Sequence, residues 1–238
     1  MEVKNILKTI KQIHQILLNE AFYPLAFATL VAVGVFGVRV YFSGNSTYSS
    51  LVRNLALAWI PYVLSIFAVL LQRALGHGWK TLGLLLPLAL AWLLFFPNAP
   101  YIVTDFYDLS SRPPLPLWFD IGMISLYALS GCLLAVASLR SMQAIFRLYA
   151  GNFLSWVAAV GVIAISAAGV YLGRFGRWNS WDFFISPRAI VKQAILPAIS
   201  PGENLGFIGF SMLFGAILLV LYVMYVSLNQ RKEEEIEK

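Results

Sequence analysis

The chain has 238 residues, of which 60% are hydrophobic and only 12% charged. Soluble domains carry about 25% charged residues, so this composition excludes an ordinary water-soluble globule. The net charge of +6 would suggest nucleic acid in a soluble protein, but here it fits basic loops against anionic lipid head groups, and no nucleic-acid partner is expected.

The single cysteine, Cys132, lies inside an apolar run. An internal disulfide and a cysteine metal cluster are therefore excluded. Residues 1–20 do not have the form of a cleavable signal peptide. Ile6, Ile10, Ile13 and Leu17 fall at helical spacing, with Lys4, Lys8 and Lys11 elsewhere on the wheel. This predicts an amphipathic helix at the membrane surface, leading into the first span.

Six apolar stretches follow, each predicting a transmembrane helix. They run from about Phe22 to Val38, Leu55 to Leu71, Thr81 to Phe96, Leu117 to Leu139, Asn152 to Gly173 and Leu205 to Leu228. Arg39 is placed to snorkel at the end of the first. Pro61 and Pro87 are the only mid-span helix breakers. The expected fold is all-α, a six-helix membrane bundle with the amphipathic helix over 1–20, the bundle over 21–229 and a charged tail over 230–238. Six spans of roughly 20 residues use about half the chain, so it is read as a single membrane domain.

Basic residues set the expected orientation. With the N-terminus inside, Arg73, Lys80, Arg140 and Arg147 fall in the inner joints. Asp105, Asp108, Asp120, Asp182 and Glu203 then all lie outside. Both termini are expected in the cytoplasm of a cell-membrane protein. The two histidines, His14 and His77, lie on the inner side, with His77 in a loop.

Two joints stand apart and emerge on the same face, expected to be the outer one. In FPNAPYIVTDFYDLSSRPPLPLWFD, residues 96–120, Pro97 and Pro100 break the third span and Asn98 can cap its end. Tyr101, Asp105 and Asp108 share one face if 101–109 is helical. Pro113, Pro114 and Pro116 are expected to hold the chain extended. Asp120 falls in the first turn of the fourth span, where the helix dipole favours a carboxylate.

In YLGRFGRWNSWDFF, residues 171–184, Arg174 and Arg177 are three apart, and so are Trp178 and Trp181. The tryptophans match an interfacial aromatic belt. Asn179 stands as N-cap before Asp182. Ser186 and Pro187 open a further short helix on the outer surface, ended by Pro197, which can serve as a lid or a strut.

These residue types allow two arrangements. In one, Asp105 or Asp108 pairs with Arg174 or Arg177 and pins the joints together. In the other, Asn98, Tyr101, Asp105, Asp108, Arg174, Arg177, Trp178, Asn179 and Asp182 line an outward pocket. Arginine forks suit phosphate or carboxylate. Asp105 and Asp108 are the candidates for a general base or for ligands to a divalent cation, although the chain has no metal signature of zinc-motif strength.

The segments FPNAPYIVTDFYDL and YLGRFGRWNSWD resemble signature segments of a prokaryotic family of multi-pass membrane proteins known only as a domain of unknown function. The resemblance covers about residues 20–228. It implies a bundle of helical spans and gives weight to Asn98, Pro100, Tyr101, Asp105, Arg174, Arg177, Trp178, Asn179 and Asp182, without naming a substrate. The leading expectation is an outer-face site for an anionic or lipid head-group-like ligand, with enzymatic chemistry as one version of it. A transporter is the first alternative, although the spans carry almost no charge at mid-depth. A scaffold whose Asp–Arg pairs are structural is the second.

Overall fold

The computed structural model describes residues 2–178, 180 and 182–236. Among these the chain is helical, with no strands. The helices are α1 (Glu2–Asn19), α2 (Phe22–Ser43), α3 (Ser49–Leu75), α4 (Trp79–Phe95), α5 (Asn98–Tyr101), α6 (Leu117–Phe175), α7 (Asp182–Ile185), α8 (Pro187–Ile199) and α9 (Leu205–Ile236). Short 3-10 turns cover Ile102–Asp108 and Pro201–Glu203.

Five helical segments among the described residues are long and apolar enough to cross a membrane. One of them, α6, has 59 residues. At 1.5 Å per residue it would extend about 88 Å, far beyond a hydrocarbon core of about 30 Å. It is in fact two arms. Gly151 interrupts it at φ 79°, ψ 175°, a conformation only glycine takes readily. The arms and the four other segments match the six expected apolar stretches.

The helices arrange around α3 and α6. Helix α3 packs on α4 and α6, and α6 also takes α2, α5 and α9. Leu51, Leu55, Ala58, Tyr62, Met123, Ile124, Tyr127 and Tyr222 are fully buried where these helices meet. Large apolar side chains also face outward. Phe27 is 69% exposed, Leu30 71% and Leu213 67%. Water-soluble monomers rarely carry so much contiguous apolar surface. Hydrocarbon does not penalise it, and these helices are compatible with a membrane bundle.

Helix α1 packs on α2. Its Ile16 is buried while Ile10 and Ile13 are exposed. The side chains of Lys4, Ile6 and Lys8, and those of the tail from residue 230 on, lie outside the described residues.

Four local expectations need correction. Arg39 does not snorkel, because it is 1% exposed and turned into the bundle. Its Nε donates to Asp120 Oδ1 at 2.8 Å, Nη2 to Oδ2 at 3.3 Å, and Nη1 to Ser43 Oγ at 2.9 Å. Asp120 does sit in the first turn of α6, but its main partner is this arginine. A bidentate fork of opposite charges outweighs a helix-end dipole of about half a charge. The segment after Arg112 turns at Pro113 and Pro114 and is extended at Pro116. Helix α8 carries Pro197 inside its last turn and ends at Ile199.

Candidate functional site

The first polar joint folds as two tight turns rather than one α-helix. Helix α5 covers Asn98–Tyr101, and Ile102–Asp108 is 3-10. A 3-10 helix has three residues per turn, so Asp105 and Asp108 stack one above the other. Both face Arg174, at the end of the second arm of α6. Nη2 of Arg174 lies 2.7 Å from Asp108 Oδ1, and Nη1 lies 3.7 Å from Asp105 Oδ1. The guanidinium also sits over the Tyr107 ring, 5.1 Å from its centroid. Arg174 therefore takes the place between two carboxylates that a cation would otherwise hold.

The two aspartates are not equivalent. Asp108 is half exposed, while Asp105 is buried. The Asn54 amide donates to both Asp105 oxygens, at 3.2 and 2.9 Å. Burial works against the charge on Asp105, and Asn54 and Arg174 work for it. Asn54 holds both of its oxygens, and Arg174 faces one of them at longer range.

Missing side chains let α5 reach this position. It wedges between the arms of α6. A Cβ on Gly131 of the first arm would meet the Ala99 carbonyl oxygen at 2.4 Å. A Cβ on Gly173 of the second arm would meet the Tyr101 ring at 3.2 Å.

The second polar joint docks onto the first. Asn98 Nδ2 donates to the Phe95 carbonyl at 2.9 Å, capping the end of α4, and to Ser180 Oγ at 2.9 Å. Ser180 Oγ donates in turn to the Leu94 carbonyl at 3.1 Å. The end of α6 closes where Trp178 N–H donates to the Leu172 carbonyl at 3.3 Å. Arg177 adopts φ 56°, in the left-handed region uncommon for residues with a Cβ. The Trp178 indole N–H reaches Gln193 Oε1 of α8 at 2.7 Å. Asp182 opens α7. Asn179 and Trp181 lie outside the described residues.

Beside this junction runs a cleft of about 1580 Å³ between α4 and the second arm of α6. Its walls change character along its length. Pro87, Leu90, Ala91 and Leu94, at helical spacing on α4, face Ile165, Ala168 and Leu172 of α6. At the polar end stand Arg53, Asn54, Tyr101, Asp108, Arg174, Arg177 and Trp178. Leu90 is 67% exposed and Ile165 57%, so the apolar part opens sideways onto the exposed apolar surface of the bundle. Val191 of α8 also lines the cleft.

The chain shares its pattern with others. The model of a family described as "Protein of unknown function (DUF1361)" matches residues 53–221. The chain belongs to this family. The match begins at Arg53 and contains every described residue of the cleft. Comparison with curated proteins and with solved structures finds no match.

Within this DUF1361 chain the junction brings together Asn98, Tyr101, Asp105, Asp108, Arg174, Arg177 and Trp178. All but Asp105 line the cleft. Asp105, a candidate for catalysis and for metal binding, faces Asn54 and Arg174 instead. No group of three or more His, Cys, Asp or Glu suited to a metal occurs among the described residues. Arg53 and Asn54 at the start of α3 escaped the sequence reading. Their one available signal was a polar pair immediately before a long apolar run.

Proposed function

We propose that this DUF1361 protein binds a membrane amphiphile in the cleft, with its anionic or polar head at the arginine end and its chain along the α4–α6 groove. The reading rests on the graded lining. One cavity carries Arg53 and Arg177 at one end and Leu90 and Ile165 at the other. A small soluble anion needs no 1580 Å³ cleft with an apolar, laterally open side, since drug-sized ligands fill roughly 300–1000 Å³. Arg174 is committed to two aspartates, so Arg53 and Arg177 supply the charge for the head group. In this reading the chain crosses the cell membrane six times, with both termini in the cytoplasm and the cleft's polar end at the outer head-group level.

Mass spectrometry of the protein purified in mild detergent tests this, by counting lipid carried through purification. Arg53→Glu/Arg177→Glu is expected to lose the lipid by removing the head contact. Leu90→Trp/Ile165→Trp is expected to lose it by filling the groove. Unchanged lipid in both variants would sink the reading.

One observation favours a second reading. Arg174 pairs directly with Asp108 at 2.7 Å, as in a scaffold whose ion pairs only hold loops together. That reading predicts that neither variant changes any bound molecule.

A further inference from the structure

The bundle has a second polar cavity at its other end. It measures about 880 Å³ and is lined by Arg73 from the end of α3 and by Arg140 and Arg147 from the first arm of α6. Arg140 and Arg147 are two helical turns apart, on one side of that arm. Glu20, between α1 and α2, is the acid in the described lining. Its carboxylate accepts the Ser141 hydroxyl, and its carbonyl accepts the Tyr62 hydroxyl at 2.8 Å. Among the described lining residues, three arginines stand with one glutamate.

Neutral donors complete the lining. The Gln143 side-chain oxygen accepts the Tyr222 hydroxyl, which leaves its amide N–H groups to donate elsewhere. Trp156 adds an apolar wall. Along α3, Asn54 and Arg73 are 19 residues apart, or about 28 Å. That is close to the roughly 30 Å thickness of a hydrocarbon core. When the outer cleft's polar end stands at one head-group level, this cavity stands at the other.

We propose that the second cavity is a binding site for a phosphate group, held by Arg73, Arg140 and Arg147. Guanidinium forks match phosphate oxygens in pairs, and basic hollows between spans on the inner face suit acidic head groups. The phosphate belongs to an anionic phospholipid or to a soluble phosphate compound.

The test uses the full chain in phosphatidylcholine vesicles doped with photoactivatable phosphatidylglycerol, with cross-linked peptides mapped by mass spectrometry. Labelling is expected within residues 140–156, resolved from any label at the outer cleft. Arg73→Gln/Arg147→Gln should lower it about tenfold or more, the two single variants each several-fold. Lys80→Gln, which removes an exposed charge outside this lining, should leave it unchanged. Arg73 and Arg147 are both exposed, so the single variants remain readable if the double variant does not fold. Competition by millimolar pyrophosphate would mean that the phosphate alone suffices. Resistance to it would assign the site to a lipid head group. Absence of label there, equal labelling by a phosphatidylcholine probe, or indifference to both arginines would overturn the proposal.

Discussion

Arg39 and Asp120 meet in a two-pronged bond, at 2.8 and 3.3 Å, with both side chains sealed inside the bundle. The pair joins α2 to the start of α6, 81 residues apart. Removing one partner strands the other charge where water cannot reach it. Asp120→Ala should therefore destabilise the protein by about 3–5 kcal/mol. Arg39→Met/Asp120→Leu, which removes both charges at similar volume, should recover most of that loss. Denaturant unfolding in detergent micelles checks both. A double variant no more stable than Asp120→Ala would refute the stranded-charge account.

The two aspartates on Arg174 should respond unequally. Asp105 is buried and holds Asn54 and Arg174 together. Asp105→Ala should cost about 2–3 kcal/mol, because the buried Asn54 amide loses its acceptor and Arg174 loses one of its two carboxylates. Asp108 has a side chain 55% exposed. Solvent screening limits Asp108→Ala to about 1 kcal/mol or less, and added salt should shrink it further. Equal losses would mean that burial does not set the difference.

The wedge of α5 depends on bare glycine. Gly131→Ala pushes a methyl toward the Ala99 carbonyl, and should cost about 1–3 kcal/mol. Gly122→Ala, on the same arm with nothing within 4 Å of its Cβ, should be neutral or slightly stabilising from helix propensity. Thermal unfolding of the two variants makes the comparison. A stable Gly131→Ala protein would show that α5 does not pack as described.

The two ends of the bundle should be reachable from opposite sides of the membrane. Cys132 is buried at 8% exposure, so new cysteines can be read against a silent background. Ser110→Cys should react with an impermeant maleimide added outside intact cells. His77→Cys should react only after permeabilisation. The reverse pattern would invert the orientation, and reaction of both from one side would end the six-span reading.

The polar residues were legible in unequal measure. Asp105, Asp108 and Arg174 stood out because charges are few in this chain and these fall in joints that emerge on one face. The burial of Asp105 and exposure of Asp108 were not legible, since both occupy the same type of position in the same joint. Arg39 and Asp120 were masked by adequate local explanations, a snorkelling cation and a helix-end carboxylate. Nothing in a linear pattern says that two such residues meet. Asn54 gave little signal, being an uncharged polar residue beside Arg53 just before a long apolar run.

By itself, the sequence determined the all-helical architecture, the six apolar rods and the face on which the acidic and basic joints gather. Lipid leaves the backbone few ways to satisfy its hydrogen bonds, so apolar length and short polar joints decide these features almost alone. The tertiary structure decided which charges pair, how deeply each is buried and where a cleft opens. Apolar residues that line a groove are of the same types as those that face lipid. Only the packing of α4, α5 and α6, with Gly131 and Gly173 letting backbones approach, separates one from the other.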